Sequence, residues 1–173
     1  MKMDRVASSQ NDEFYTPAYA IQPILKYVPP GASVWCPFDT EDSQFVKSFR
    51  AHGCSVVATH LVQGQDFFTT TDPGCEFVIS NPPYTLKGKV LEKLFALDKR
   101  FAMLVGVVGL FESQHRFQMF KANRFEILYL SKRVAYFKDY NDPQPSIHPP
   151  FSSVYVCRDV LPKPITFEEI TRS

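Results

Sequence analysis

Short apolar runs alternate with helix-like stretches along most of the 173-residue chain, and this alternation constrains the fold more than any other feature. The run FAMLVGVV, residues 101–108, is apolar throughout, as expected of a central parallel strand covered on both faces. Shorter predicted strands are SVWC, SVVATH, FVIS, FEILYL and FSSVYVC. Alternating β and α units of this size predict a single-domain, doubly wound α/β fold with a mostly parallel sheet and helices on both faces.

The stretches between the strands carry helix signals. Thr16 and Pro17 are predicted as the N-cap and first residue of one helix, and Ser43 begins a second helix that Gly53 ends. Further helices are predicted over 87–97 and 113–122. In an open parallel sheet, ligands bind beyond the carboxyl ends of the strands, so functional residues are expected directly after the strands.

The composition favours one globular domain over residues 11–173, with residues 1–10 predicted to be disordered. No apolar run approaches the roughly 18 residues of a membrane span, and the N-terminus lacks the apolar segment of a secretory signal. We therefore expect a cytoplasmic protein without membrane contact. The four cysteines and four histidines are scattered, without the close pairs that zinc sites show. Free thiols and no metal site are expected.

Basic residues are concentrated in the middle of the chain. Residues 86–138 contain 11 basic and 4 acidic side chains, a net charge of +7, whereas the whole chain carries +1. Such a block is either the footprint of a polyanion or a set of solvated helix faces. The candidates for phosphate contact are Lys87, Lys89, Arg116, Arg124, Lys132 and Arg133.

The predicted strand FVIS is followed by Asn81, Pro82, Pro83 and Tyr84. The prolines fix their φ angles and lack N–H groups, and Pro82 holds Asn81 in an extended conformation. This rigid turn presents two hydrogen-bond acceptors, the Asn81 side-chain oxygen and the Pro82 carbonyl. Both suit the exocyclic amine of adenine, whose lone pair is otherwise delocalised into the ring. Tyr84 is placed to stack on a base taken out of the helix.

This turn resembles the catalytic motif of S-adenosylmethionine-dependent amino-methyltransferases, chiefly the small phage-type N6-adenine DNA enzymes. The segments FYTPAYAIQPIL, GQDFF and SKRVAYF…PPFSSVYV are similar to further motifs of that family. The resemblance implies a Rossmann-like class I methyltransferase fold, S-adenosylmethionine as cofactor and adenine in DNA as substrate. It implies catalysis by Asn81, Pro82, Pro83 and Tyr84. It also implies cofactor contacts from Tyr15, Thr16, Pro17, Pro37, Phe38, Asp39, Asp66, Phe67 and Asn81.

One segment departs from the family pattern. In VWCPFDTEDSQF, Thr40, Glu41 and Asp42 stand where the family has a glycine-rich turn, and added carboxylates should repel the methionine carboxylate. His60 stands where an acid commonly holds the ribose. Three functions therefore stay open: N6-adenine methylation of DNA, the same chemistry on RNA or a protein glutamine amide, and a non-catalytic nucleic-acid-binding or regulatory domain. We expect loops such as 138–150, or a partner subunit, to read the target, unless specificity is loose.

Overall fold

The computed structural model describes residues 14–172, so the disorder predicted for residues 1–10 lies outside the described residues. Seven strands form one sheet. They are β1 Ser33–Cys36, β2 Ser55–Ala58, β3 Phe77–Ser80, β4 Arg100–Gly106, β5 Glu126–Leu130, β6 Ser153–Arg158 and β7 Ile165–Glu168. Their order is β2-β1-β3-β4-β6-β5-β7. Strand β6 is antiparallel to β4 and β5, and the other neighbouring strands are parallel. The mostly parallel sheet is confirmed.

Within residues 14–172, four α-helices cover the sheet. They are α1 Ala18–Leu25, α2 Gln44–Ala51, α3 Lys87–Ala96 and α4 Gln114–Ala122. Residues of α1 and α2 share one hydrophobic core with one face of the sheet, and residues of α3 and α4 share a second core with the other face. The strand alternation explains the division: Val34 points into the first core and Trp35 into the second. Helices on both faces are confirmed.

The helix ends agree with the predictions at α2 and differ at α1. The Ser43 side chain accepts a hydrogen bond from the Phe45 N–H at 3.3 Å, and Gly53 has a φ of 100°, which lets the chain leave the helix. At α1 the N-cap is Pro17, without a side-chain hydrogen bond. The predicted N-cap role of Thr16 is wrong because its hydroxyl is directed to Asn81 instead.

Strand β7 was not predicted. Its residues alternate between exposed and buried, but the apolar ones face outward. Ile165 and Phe167 are exposed and Thr166 is buried, the reverse of the usual pattern. Within the part of the chain that the structure describes, no helix has the length and apolarity to cross a bilayer, and α3, the longest, has 10 residues.

The parallel strands bring the predicted functional segments to one edge. Strands β1, β2, β3, β4 and β5 all run in the same direction, so their carboxyl ends lie along one side of the sheet. Residues 37–39, 59–60, 81–84 and 131–133 directly follow these ends. This edge is where the candidate site is found.

Candidate active site

Asn81 follows β3 and is held in one orientation by two acceptors. Its Nδ2 donates to the Phe14 carbonyl at 2.7 Å and to Thr16 Oγ1 at 3.1 Å. A carbonyl only accepts hydrogen bonds, so the amide nitrogen and not the oxygen must face Phe14. Both amide hydrogens are thereby used. Asn81 Oδ1 is left as the side-chain atom that can accept a hydrogen bond from a ligand.

The N-terminal segment is tied into the site from both sides. Thr16 is buried beside Asn81, and Pro17 is buried at the start of α1. The Tyr15 N–H donates to the Phe137 carbonyl at 3.3 Å, and the Phe137 N–H donates back to Tyr15 at 2.8 Å. The Tyr15 ring lies 4.4 Å from that of Tyr140 between centroids. The structure therefore brings the predicted residues 15–17 together with the turn after β3.

Four aromatic rings surround Asn81. Phe151 stacks on Tyr84 with centroids 5.4 Å apart and planes 29° apart, and Phe14 meets Tyr84 edge-on at 6.2 Å. Tyr136 lies 5.3 Å from Phe14, and burial raises its pKa far above the usual value. The cavity that these rings share with Asn81 and Pro82 measures about 10 Å³, enough for one water molecule. Ligand pockets commonly measure roughly 300–1,000 Å³, so this cavity is too small for a base in the present conformation.

Tyr136 and Phe151 were not singled out from the sequence as site residues. Both lie within the segment SKRVAYF…PPFSSVYV that carried part of the family resemblance. That resemblance was the only signal available, because the rings reach Asn81 from positions more than 50 residues further along the chain.

Lys87 begins α3 and is buried, with 4% of its surface exposed. Its Nζ donates to the Gly106 carbonyl at 3.0 Å and to the Val108 carbonyl, and lies 4.4 Å from the centre of the Tyr84 ring. A phosphate group has no access to this ammonium. The predicted phosphate contact of Lys87 is therefore wrong, and the side chain instead links α3, Tyr84 and the end of β4.

Other cations of the basic block also bind within the protein. Arg116 donates to the Gly109 carbonyl, and its guanidinium lies so close to Gly88 that a Cβ there would be 2.9 Å from Nε. Arg124 pairs with Asp159 at 2.7 Å. These bonds do not support the phosphate contacts predicted for the two arginines. Three further candidates, Lys89, Lys132 and Arg133, are exposed.

Of the three carboxylates in the turn after β1, Asp39 is buried, Glu41 forms an ion pair and Asp42 is exposed. Asp39 is buried, and its carboxylate accepts hydrogen bonds from Ser43 Oγ and, at 2.5 Å, from Ser80 Oγ. Glu41 pairs with Arg50, and the hydrogen bond from Arg50 lowers the pKa of Glu41. Asp39 thus connects the ends of β1 and β3 with the start of α2. Pro37 is buried just before this turn.

The segment GQDFF forms a tight turn beside the same edge. Asp66 is half-buried, and its Oδ1 accepts the Phe68 N–H at 3.0 Å. Phe67 is 2% exposed and packs against Trp35 at 5.6 Å and Phe38 at 5.1 Å. Its ring has almost no surface left for a cofactor, so we assign Phe67 to the core. Phe68 is 37% exposed and Phe38 is half-buried, and these two rings offer the accessible aromatic surface.

The cysteines are free and buried, and burial raises the pKa of all four thiols. Among residues 14–172 no group of three or more histidine, cysteine or acidic side chains is arranged to hold a metal ion.

Comparisons with known proteins agree with this architecture. No protein-family model matches the sequence, and no curated protein matches it. A modification subunit of a putative type I restriction enzyme from Vibrio vulnificus YJ016 superimposes with a TM-score of 0.55 and 14% identity, covering 99% of this chain. The chain spans 50% of that subunit. The 23S rRNA methyltransferase ErmE superimposes with a TM-score of 0.51 and 15% identity, covering 88% of this chain and 71% of the enzyme. The chain therefore has the Rossmann-like α/β fold of these two structures.

Proposed function

We propose that this chain transfers a methyl group from S-adenosylmethionine to the exocyclic N6 amine of adenine in DNA. The observation that carries the proposal is the orientation of Asn81. Its amide hydrogens are donated to Phe14 and Thr16, which leaves Oδ1 as the side-chain atom that can accept a hydrogen bond from a ligand. The Pro82 residue lines the same cavity and supplies a second acceptor, its backbone carbonyl.

Two acceptors placed by a rigid turn suit a weakly nucleophilic amine. When bound, S-adenosylmethionine supplies an electrophilic methyl group. Asn81 Oδ1 and the Pro82 carbonyl accept the two amine hydrogens, which favours a tetrahedral nitrogen whose lone pair is available for reaction. Tyr84 fixes the plane of the base by stacking. Because positioning and electrostatics do the work, the site needs no strong base.

The residues at the carboxyl edge fit the cofactor. Asp66 uses Oδ1 within its own turn, and Oδ2 suits the cofactor's adenine amine, with Phe38 and Phe68 as apolar walls. Two of the three carboxylates in the altered turn after β1 are bonded within the protein, which leaves the exposed Asp42 as the one that would repel the methionine carboxylate. Asp39 is hydrogen-bonded by two serines and Glu41 is paired with Arg50, so neither is a free charge facing the methionine end.

Nucleic acid is the substrate class that the charges favour. Lys89, Lys132 and Arg133 are exposed and follow the carboxyl ends of β3 and β5, on the side of the sheet that carries Asn81. A protein glutamine substrate requires no basic rim. The restriction-system neighbour favours DNA and the ErmE neighbour keeps RNA as the alternative. Since the chain spans half of the modification subunit, we also propose that a partner subunit contributes to target recognition.

A second candidate is a non-catalytic nucleic-acid-binding protein that keeps the fold. The observation that favours it is the turn Thr40–Asp42, which lacks the glycines that allow close approach of the backbone to a ligand. Calorimetric titration with S-adenosylmethionine separates the two functions. No binding at millimolar concentration supports the non-catalytic candidate.

Asn81→Ala tests the catalytic proposal. Transfer of radiolabelled methyl groups to duplex DNA should fall by roughly 10²–10³-fold, as when one preorganised hydrogen-bonding group is removed from an active site. The affinity for S-adenosylmethionine should change little, since the lost interaction is made to the amine. Asn123→Ala is the matched control, because Asn123 bonds the Met119 carbonyl in α4, away from the site. Activity of Asn81→Ala within a few-fold of the wild type removes Asn81 from the mechanism.

A further inference from the structure

We infer that Phe151 is a gate residue of the base pocket, which occupies the stacking position on Tyr84 in the free protein and gives way to the target base. The inference rests on the proposed function, because it concerns how adenine reaches Asn81. It assigns to the segment before β6 a role in admitting the substrate.

The Phe151 ring takes the place that a base requires. Its centroid lies 5.4 Å from that of Tyr84, and the planes are 29° apart, which is an offset stack. With the ring in this position the cavity at Asn81 measures about 10 Å³. A purine does not fit beside both rings, so stacking on Tyr84 requires Phe151 to leave.

Gly106 provides the notch in which the ring lies. This glycine is the last residue of β4, and a Cβ built on it would be 2.6 Å from Phe151 Cε2 and 2.9 Å from Cδ2. Carbon atoms in contact are normally about 3.5–4.0 Å apart, so any side chain at this position would collide with the ring. Phe151 is therefore seated against the main chain of a central strand.

The surroundings of Phe151 allow the side chain to move while the backbone stays. The Val107 N–H donates to the Ser152 carbonyl at 2.9 Å, and Tyr136 Oη lies 2.7 Å from Ser153 Oγ, so the chain just after Phe151 is fixed. Phe151 itself is half-buried. Rotation about the side-chain bonds moves the ring outward without unravelling β6.

Exchange of one ring for another gives the pocket selectivity. A base that enters replaces the stack of Phe151 on Tyr84 with its own, so its net gain comes from what Phe151 cannot offer, namely an amine for Asn81 Oδ1. A base without that amine exchanges one stack for another and gains little. The gate thereby favours amine-bearing bases before any chemistry takes place.

Fluorescence titration with a single-stranded oligothymidylate that carries one 2-aminopurine tests the gate. Phe151→Ala should bind this probe roughly 2- to 10-fold more tightly than the wild type, because no aromatic pair has to be separated first. The 2-aminopurine signal should be quenched more strongly on binding. Tyr84→Ala in the Phe151→Ala background should abolish the gain. The matched control is Phe167→Ala, which removes an exposed ring from β7 and should change nothing.

Gly106→Ala is the second variant. Its added methyl group expels the ring without removing it and should give a similar gain in affinity. Equal or weaker binding by both variants overturns the gate, since Phe151 is then a bystander or an outer wall of the pocket. If no variant binds the probe, even at low salt, the gate is overturned as well. Methyl transfer is measured separately. If the protein transfers no methyl group but the variants bind the probe more tightly, the proposed function alone is contradicted. If the protein is active but the variants bind the probe no more tightly, the gate alone is contradicted.

Discussion

Gly106→Ala is expected to destabilise the wild-type protein and to stabilise the Phe151→Ala variant. Gly106 is buried at the end of β4, opposite Ser153 of β6. Its φ is not in the left-handed region, so an alanine meets no backbone strain there. The obstacle is Phe151, whose ring carbons would lie 2.6, 2.9 and 3.3 Å from the new Cβ.

Two opposing effects give the magnitude. Inserting a methyl group into a filled space costs roughly 1–3 kcal/mol. Alanine is favoured over glycine within a strand by roughly 0.5–1 kcal/mol, because glycine loses more chain entropy on folding. With Phe151 present the first effect outweighs the second in most of this range. Without Phe151 only the second remains, and the substitution becomes stabilising.

Urea denaturation of the wild type, both single variants and the double variant measures the coupling between the two positions. We expect a coupling free energy of about 1–3 kcal/mol. Gly88→Ala in the same two backgrounds is the control, because its added Cβ would meet Arg116 and not Phe151. An effect of Gly106→Ala that is the same in both backgrounds, within about 0.5 kcal/mol, refutes the placement of the ring against Gly106.

Two further substitutions test buried or paired charges. Lys87→Met keeps the apolar stem but leaves two backbone carbonyls unpaired, so urea denaturation should show a loss of about 1–3 kcal/mol, and methyl transfer should fall while S-adenosylmethionine still binds. Burial raises the pKa of Glu168, but hydrogen bonds from Lys26 and Tyr27 lower it overall below its usual 4.5. The stabilisation is present above 4.5 and lost as the pH falls through the lower folded value, so Glu168→Gln should make thermal stability less dependent on pH in acid.

The sequence predicts most of the fold because its signals are local. The strand FVIS is observed as Phe77–Ser80, and Ser43 and Gly53 mark the ends of α2 as their cap preferences indicate. Strand β7 was not predicted because a four-residue edge strand with outward apolar residues has no distinctive sequence pattern. Position at the carboxyl edge followed from the β/α alternation alone, which is why Asn81 was identified correctly as a residue of that edge.

The site was less predictable because its geometry depends on distant segments. Nothing in the sequence indicates that Phe14 and Phe151 meet the same tyrosine, since these contacts form only when the sheet is assembled. Charge was misleading for a related reason. A lysine in the first turn of a helix is usually solvated, but Lys87 points to the carbonyls of the turn after β4 and is buried there.

The number of exposed cations in the basic block, residues 86–138, determines the expected salt dependence of DNA binding. Of the 11 cations in residues 86–138, six bind backbone carbonyls or Asp159, and the remaining five are exposed. Lys121 is at the end of α4 that leads into β5, on the side of the sheet away from Asn81. The exposed cations on the side of Asn81 are Lys89, Lys132, Arg133 and Lys138.

Four phosphate contacts predict a slope of log K against log salt of about −3.6, whereas all 11 cations would give about −10. Binding to duplex DNA measured by fluorescence anisotropy between 50 and 200 mM salt distinguishes these values. Lys89→Gln should reduce the slope by about one unit, and Lys121→Gln, the matched control, should not change it. A slope near −10 would mean that the cations bonded to carbonyls rearrange on binding. A slope near −3.6 would indicate about four phosphate contacts, the number that the exposed cations on the side of Asn81 can supply.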